Sequence, residues 1–165
     1  IGVMILIWLL LPTLNYLDGG IQLHWPDAYI ASAIVTGVGQ MGFQGNVISA
    51  GFILSGLYLG GGWRAIRWAL IGSMCGALLG YLVGAEQQTM AVGLGGYNGA
   101  LVAVALGVID KHRLINWQPW LGILVAVSLT LLGLHLAIIP VLTIPFVLAM
   151  WVVMIFDKFS RKVYQ

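Results

Sequence analysis

The chain has 165 residues, 61% of them hydrophobic and 7% charged, with a mean hydropathy of +1.01. A soluble domain carries roughly 25% charged residues, so a water-soluble globule is excluded and an all-α integral membrane protein is expected. Seven basic residues against five acidic ones are too few and too scattered for a nucleic-acid-binding stripe, and the single cysteine, Cys75, excludes an internal disulfide or a cysteine-rich metal site.

Apolar segments run over 1–17, 28–62, 68–85, 90–109, 117–134 and 138–156, most of them near the ~20 residues that a spanning helix requires. Segment 1–17 has no basic leader and no clean small-x-small cleavage site, so it reads as an extra span or the end of a preceding unit rather than a secretory signal. The first residue is Ile1, which fits a fragment or a processed chain. Segment 28–62 is too long for one span and too short for two comfortable ones. Its glycine-rich string Gly37-Val38-Gly39-Gln40-Met41-Gly42-Phe43-Gln44-Gly45-Asn46 predicts a re-entrant half-helix followed by one short crossing.

Arg64 and Arg67 follow as a basic turn between Trp63 and Trp68. Gly72, Gly76, Gly80 and Gly84 then recur every four residues, a spacing that lets a neighbouring backbone approach one helix face. A second string, Gly93-Leu94-Gly95-Gly96-Tyr97-Asn98-Gly99-Ala100-Leu101, lies inside segment 90–109, and Thr143 stands between Pro140 and Pro145 near the start of the last segment. An unpaired polar group is costly in hydrocarbon, and broken backbone at membrane depth is tolerated only where protein or a wet cavity satisfies it. The strings therefore point to a membrane path for a neutral polar solute.

If the later segments each cross once, Arg64, Arg67, Lys111, Arg113, Lys158, Arg161 and Lys162 all fall on one face. Glu86 falls on the other, with Asp18 and Asp27 if 28–62 crosses once in net. The positive-inside rule then makes the basic face and the C-terminus cytoplasmic, and puts Trp63, Trp68, Trp117 and Trp120 at interface positions.

His24, His112 and His135 have neither the pairwise spacing of helical metal ligands nor a carboxylate beside them within a span. No metal or cofactor is expected. Ser55 with His135 could be proposed as the nucleophile and base of an intramembrane hydrolase, but the glycine that precedes the nucleophile in rhomboid proteases is missing. There is no Asn-Pro-Ala for an aquaporin-like pore. No carboxylate lies in mid-span for ion-coupled transport, which favours passive permeation and no enzymatic step.

The string from Gly39 to Asn46 resembles the Gly-Gln-x-x-Phe-x-x-Asn element of the urea transporter family. Gly93 to Val102 resembles its Gly-Leu-x-Gly-(Phe/Tyr)-Asn-Gly-x-Leu-Val element, and Ile139-Pro140-Val141-Leu142-Thr143-Ile144-Pro145-Phe146 its Leu-Pro-x-x-Thr-x-Pro-Phe element. Met41 stands where the family often has Val, and Ile139 replaces Leu. The resemblance implies two inverted repeats around one pore and a homotrimer of complete pores. Each repeat has about five to six spanning helices and one re-entrant half-helix. Each motif occurs once here, so residues 18–165 are expected to form a single repeat, with 1–17 outside it.

Urea is planar and neutral, with four N–H donors and one carbonyl acceptor, so a flat apolar slot edged by oxygens would replace its water. By resemblance, Gln40 is a substrate-contacting amide. Met41, Phe43, Tyr97 and Leu101 are slot walls, and the Thr143 hydroxyl with nearby freed carbonyls is an acceptor ladder. Asn46 and Asn98 are scaffold amides. The expected function is passive urea facilitation in a cell inner membrane. The alternatives are a pore for ammonia, short amides or water, or a non-conducting scaffold whose glycines only pack helices. The missing half must come from a second repeat of opposite orientation. The one-sided charge disfavours an antiparallel homodimer and favours a longer parent chain or another polypeptide.

Overall fold

The computed structural model describes residues 29–109, 117–136 and 141–163. Segment 1–17 and the connections carrying His24, Lys111, His112, Arg113 and Pro140 lie outside the described residues. The described elements are all helical: α1 (Tyr29–Gly39), a 3-10 turn (Gln40–Gly42), α2 (Val47–Leu82), the short α3 (Gln87–Ala91), α4 (Tyr97–Ile109), α5 (Trp117–Leu136) and α6 (Ile144–Val163). Of these, α2 and α5 are long and apolar enough to cross a membrane.

The expected break after a half-helix is present. Helix α1 ends at Gly39, the 3-10 turn follows, and Phe43 at φ 60° reverses the chain. Asn46 then opens α2, its side-chain Oδ1 accepting from the Ser49 backbone N–H at 2.8 Å. That bond satisfies one of the donors a helix start leaves unpaired.

Helix α2 corrects the placement of Arg64 and Arg67. They do not sit in an open turn between two spans, because the helix continues through them with one interruption, Gly62 at φ 64°, ψ −162°. Only glycine adopts that conformation without strain. Gly62 is the joint, and Arg64 already belongs to the second arm, where its Nε donates to the Gly107 carbonyl at 2.7 Å. The second arm ends on a glycine C-cap. Gly84 N–H donates to Tyr81 O and Ala85 N–H to Gly80 O, with Gly84 at φ 70°, the paired bonds of a Schellman motif. Gly84 therefore leaves the glycine stripe expected from its spacing.

The other three stripe glycines form the seam of the fold. Gly72 packs on Gly99, Gly76 on Gly95 and Gly96, and Gly80 on the buried thioether of Met90. The second correction concerns segment 90–109, which is not one span. It is α3, a glycine turn and α4, and the turn exists because Gly93 (φ 85°) lies directly against the Thr36–Gly37 backbone. Small residues continue into the core. Ala103, Ile123 and Val127 pack with Trp68, Ile71 and Leu131, and Val102, Ala126 and Ala149 pack with Leu106, Phe146 and Met150. Close backbone approach of this kind is how helices associate where lipid is as apolar as leucine.

Trp68 is also more than an interface anchor. It covers Gly107 and meets Trp120 edge to face at 5.5 Å. With the Arg64–Gly107 bond and the 2.8 Å bond from Gln118 Nε2 to Asp157, this gathers the start of the second α2 arm, the end of α4, the start of α5 and the late part of α6 at one end. Arg64, Arg67 and Lys158 share that end.

Candidate functional site

Two hydroxyls tie the half-helix α1 to its neighbours. Ser73 Oγ on α2 donates to the Ile34 carbonyl at 2.7 Å. Thr36 Oγ1 lies 2.8 Å from both its own helix's Ser32 carbonyl and the Ala91 carbonyl. Phe43 N–H returns to Gln40 O at 2.9 Å, and in the glycine turn Gly96 N–H donates to Gly93 O at 3.2 Å. The half-helix and the glycine turn are thus satisfied by protein, as membrane depth demands.

Gln40 and Met41 lie on the 3-10 turn, half-buried, and this turn packs against α4. The Gln40 Nε2 end lies over Gly45, where an added Cβ would come within 2.7 Å of it, and its amide has no hydrogen-bond partner among the described residues. Phe43, in the left-handed region, is 56% exposed. Tyr97 is the first residue of α4 and is buried. Leu101, one turn later, is half-buried.

Thr143 comes to the same place through its neighbour. The Tyr97 hydroxyl donates to the Leu142 carbonyl, and Asn98 Nδ2 donates to that same oxygen at 3.0 Å. Two of the three motifs therefore meet by hydrogen bond, and the turn of the third packs on α4. No hydrogen bond joins Gln40 to Tyr97 or Thr143 among the described residues.

The oxygens near Thr143 differ from the expected ladder. Leu142 O is taken by Tyr97 and Asn98, and Thr143 O by Val147 N–H at 3.2 Å, which opens α6. A carbonyl oxygen has two lone pairs, so Leu142 O is a fastener rather than a free acceptor. The Thr143 hydroxyl is half-buried and unpartnered among the described residues. Ser55 Oγ, by contrast, donates to Gly51 O of its own helix at 2.8 Å, on an exposed face. That bond makes it a helix-surface residue with no nucleophile's setting.

Depth follows from helix rise. Tyr97 lies ten residues before Gly107 and Thr130 ten residues after Trp120, each about 15 Å from the Trp68 layer at ~1.5 Å per residue. That is half of a ~30 Å hydrocarbon core. The junction of Tyr97, Asn98, Thr130 and Leu142 is therefore at mid-depth if the tryptophan end lies at an interface.

Thr36, Ser73 and Thr130 went unremarked in the sequence, although each is a buried hydroxyl inside an apolar run. Polar residues at such depth carry a signal in their own right. Asn98 donates to Thr130 Oγ1 at 3.0 Å as well as to Leu142, while its own Oδ1 is buried without a partner. Leaving such an acceptor unpaired costs about 1–3 kcal/mol.

Comparison with known families adds one finding. The model of the urea transporter family matches residues 30–162, a range that includes all three motif-bearing elements. No match to a curated protein accompanies it.

Proposed function

Since this chain belongs to the urea transporter family, a family of membrane channels rather than enzymes, we propose that it moves urea passively through a flat apolar slot edged by oxygens. In this reading Gln40, Met41, Phe43, Tyr97, Leu101 and Thr143 line one half of the slot. Met41, Phe43, Tyr97 and Leu101 press on the faces of the planar solute. The Gln40 amide oxygen and the Thr143 hydroxyl accept its N–H groups in sequence, replacing water that would otherwise be costly to remove. Neither oxygen is engaged by another group among the described residues, so both are free to take that role.

The observation that supports the reading is the junction at Leu142, where Tyr97 and the Thr143 segment are tied together on α4, the helix against which the 3-10 turn also packs. Residues 18–165 act as one repeat, completed by a second repeat of opposite orientation, with complete pores grouped in threes. The basic end bearing Arg64, Arg67 and Lys158 faces the cytoplasm of a cell inner membrane, together with the C-terminus. Solute moves down its gradient with no covalent change.

Stopped-flow light scattering on proteoliposomes of the full-length protein tests this reading. Urea permeability should exceed that of protein-free vesicles and saturate with concentration. Permeability equal to bare lipid would support the scaffold alternative. Formamide, ammonia or water passing while urea does not would support a smaller pore.

A further inference from the structure

The hydrogen bonds behind Tyr97 form a chain whose direction is fixed at each link. Thr130 Oγ1 donates its proton to the Ala126 carbonyl at 2.7 Å, so it meets Asn98 only as an acceptor. Asn98 Nδ2 gives one N–H to Thr130 Oγ1 and the other to Leu142 O, each at 3.0 Å. Turning the amide over would set Oδ1 against two oxygens with no proton to offer. The Tyr97 hydroxyl then fills the second lone pair of Leu142 O.

Two unfavourable features coincide here. Leu142 is held at φ 40°, a region that suits glycine or asparagine rather than leucine. Asn98 Oδ1 is buried with no partner. Features of this kind persist only where the surroundings over-determine them, and they gather at working sites. Both would disappear if Leu142 relaxed and Asn98 turned, and the Thr130–Ala126 bond is what opposes that. Thr143 follows Leu142 directly, so the conformation of Leu142 governs the direction of the Thr143 Cα–Cβ bond and with it the arc its hydroxyl can reach.

We propose that Asn98, oriented by Thr130, is a positioning residue that holds Leu142 in its left-handed conformation and thereby aims the Thr143 hydroxyl along the urea path. The proposal rests on the slot reading above. Thr130 is fully buried. It meets no solute and acts through two successive hydrogen bonds.

The test is a urea-flux cycle on the full-length protein in proteoliposomes. Thr130→Val keeps the side-chain shape and removes the acceptor, so it should lower urea permeability about three- to tenfold, the value of one hydrogen bond. Thr130→Ser keeps the hydroxyl and should stay within about twofold of the parent. The readout that a merely structural role would not move is the coupling to Thr143→Val. If Thr130 acts through Thr143, the double variant is no slower than Thr143→Val alone. Losses that multiply overturn the proposal. Reduced flux in Thr143→Val with parental flux in Thr130→Val overturns the positioning step and leaves the slot reading standing. Parental flux in Thr143→Val overturns both, since there is then no hydroxyl to aim. If Thr130→Val does not assemble, Thr130→Cys, a poorer acceptor of similar size, takes its place in the same cycle.

Discussion

Replacing Gly76 by alanine puts a methyl group into the close-packed seam between α2 and the glycine turn. The added Cβ would lie 2.5 Å from Gly96 Cα and 2.8 Å from the Gly95 carbonyl carbon, with the Gly95 oxygen closer still. All three atoms are backbone, so no side chain can swing aside, and either α2 or the glycine turn has to move. Overpacking of this kind costs about 1–3 kcal/mol, against about 1 kcal/mol gained from the better helix propensity of alanine. Gly51→Ala, on the first arm of the same helix with nothing within 4 Å, collects only the gain. The two variants should therefore differ by about 1–3 kcal/mol, or roughly 2–12 °C in thermal midpoint by the scaling of domains this size. The turn that must shift ends at Tyr97, so Gly76→Ala should also lower urea permeability while Gly51→Ala leaves it near the parent. Detergent-solubilised protein followed by thermal unfolding, with stopped-flow flux on the same preparations, checks both parts. Equal midpoints for the two variants would refute the seam as the element that seats Tyr97.

Other outcomes follow from the same geometry. Thr143→Val breaks no hydrogen bond among the described residues, so its thermal midpoint should stay near the parent while urea flux falls about three- to tenfold. A parallel loss of both would mean the hydroxyl supports the fold instead. Gln40→Leu should weaken urea saturation more than Tyr97→Phe, because Phe keeps the ring and Leu142 O retains its bond from Asn98. Concentration-dependent flux that ranks them the other way round counts against the amide contact. Ser73→Ala removes the 2.7 Å tie to Ile34 and should cost about 1 kcal/mol of stability, seen as faster amide exchange at the half-helix. Unchanged exchange there would show that the glycine seam alone holds α1.

The membrane class and the break after the half-helix could be read from residue types and spacing, whereas a shared site for Tyr97 and Thr143 came only from the family resemblance. The hydrophobic pattern could not tell what kind of break a single glycine makes. Gly62 falls where the apolar segment 28–62 ends, but the nearby Arg64 and Arg67 suggested an open turn where the structure has a joint inside one helix, and Gly93 splits an apolar stretch that reads as one span. In both cases backbone conformation, which leaves little trace in hydropathy, decides the boundary. Gly84 failed the stripe for the opposite reason: its spacing fits a helix face, yet its place just after the last turn makes it a cap. At the site, the prolines around Thr143 suggested free carbonyls. Whether a carbonyl is free depends on donors 44 and 45 positions away in sequence, Asn98 and Tyr97, and no local pattern reports those.

The most direct test is an experimental structure of the complete protein with urea or a methylated urea bound. The account predicts a planar solute between Tyr97 and the 3-10 turn, within hydrogen-bond distance of the Gln40 amide and the Thr143 hydroxyl. Solute bound elsewhere, or Gln40, Tyr97 and Thr143 facing lipid or separate cavities, would contradict it.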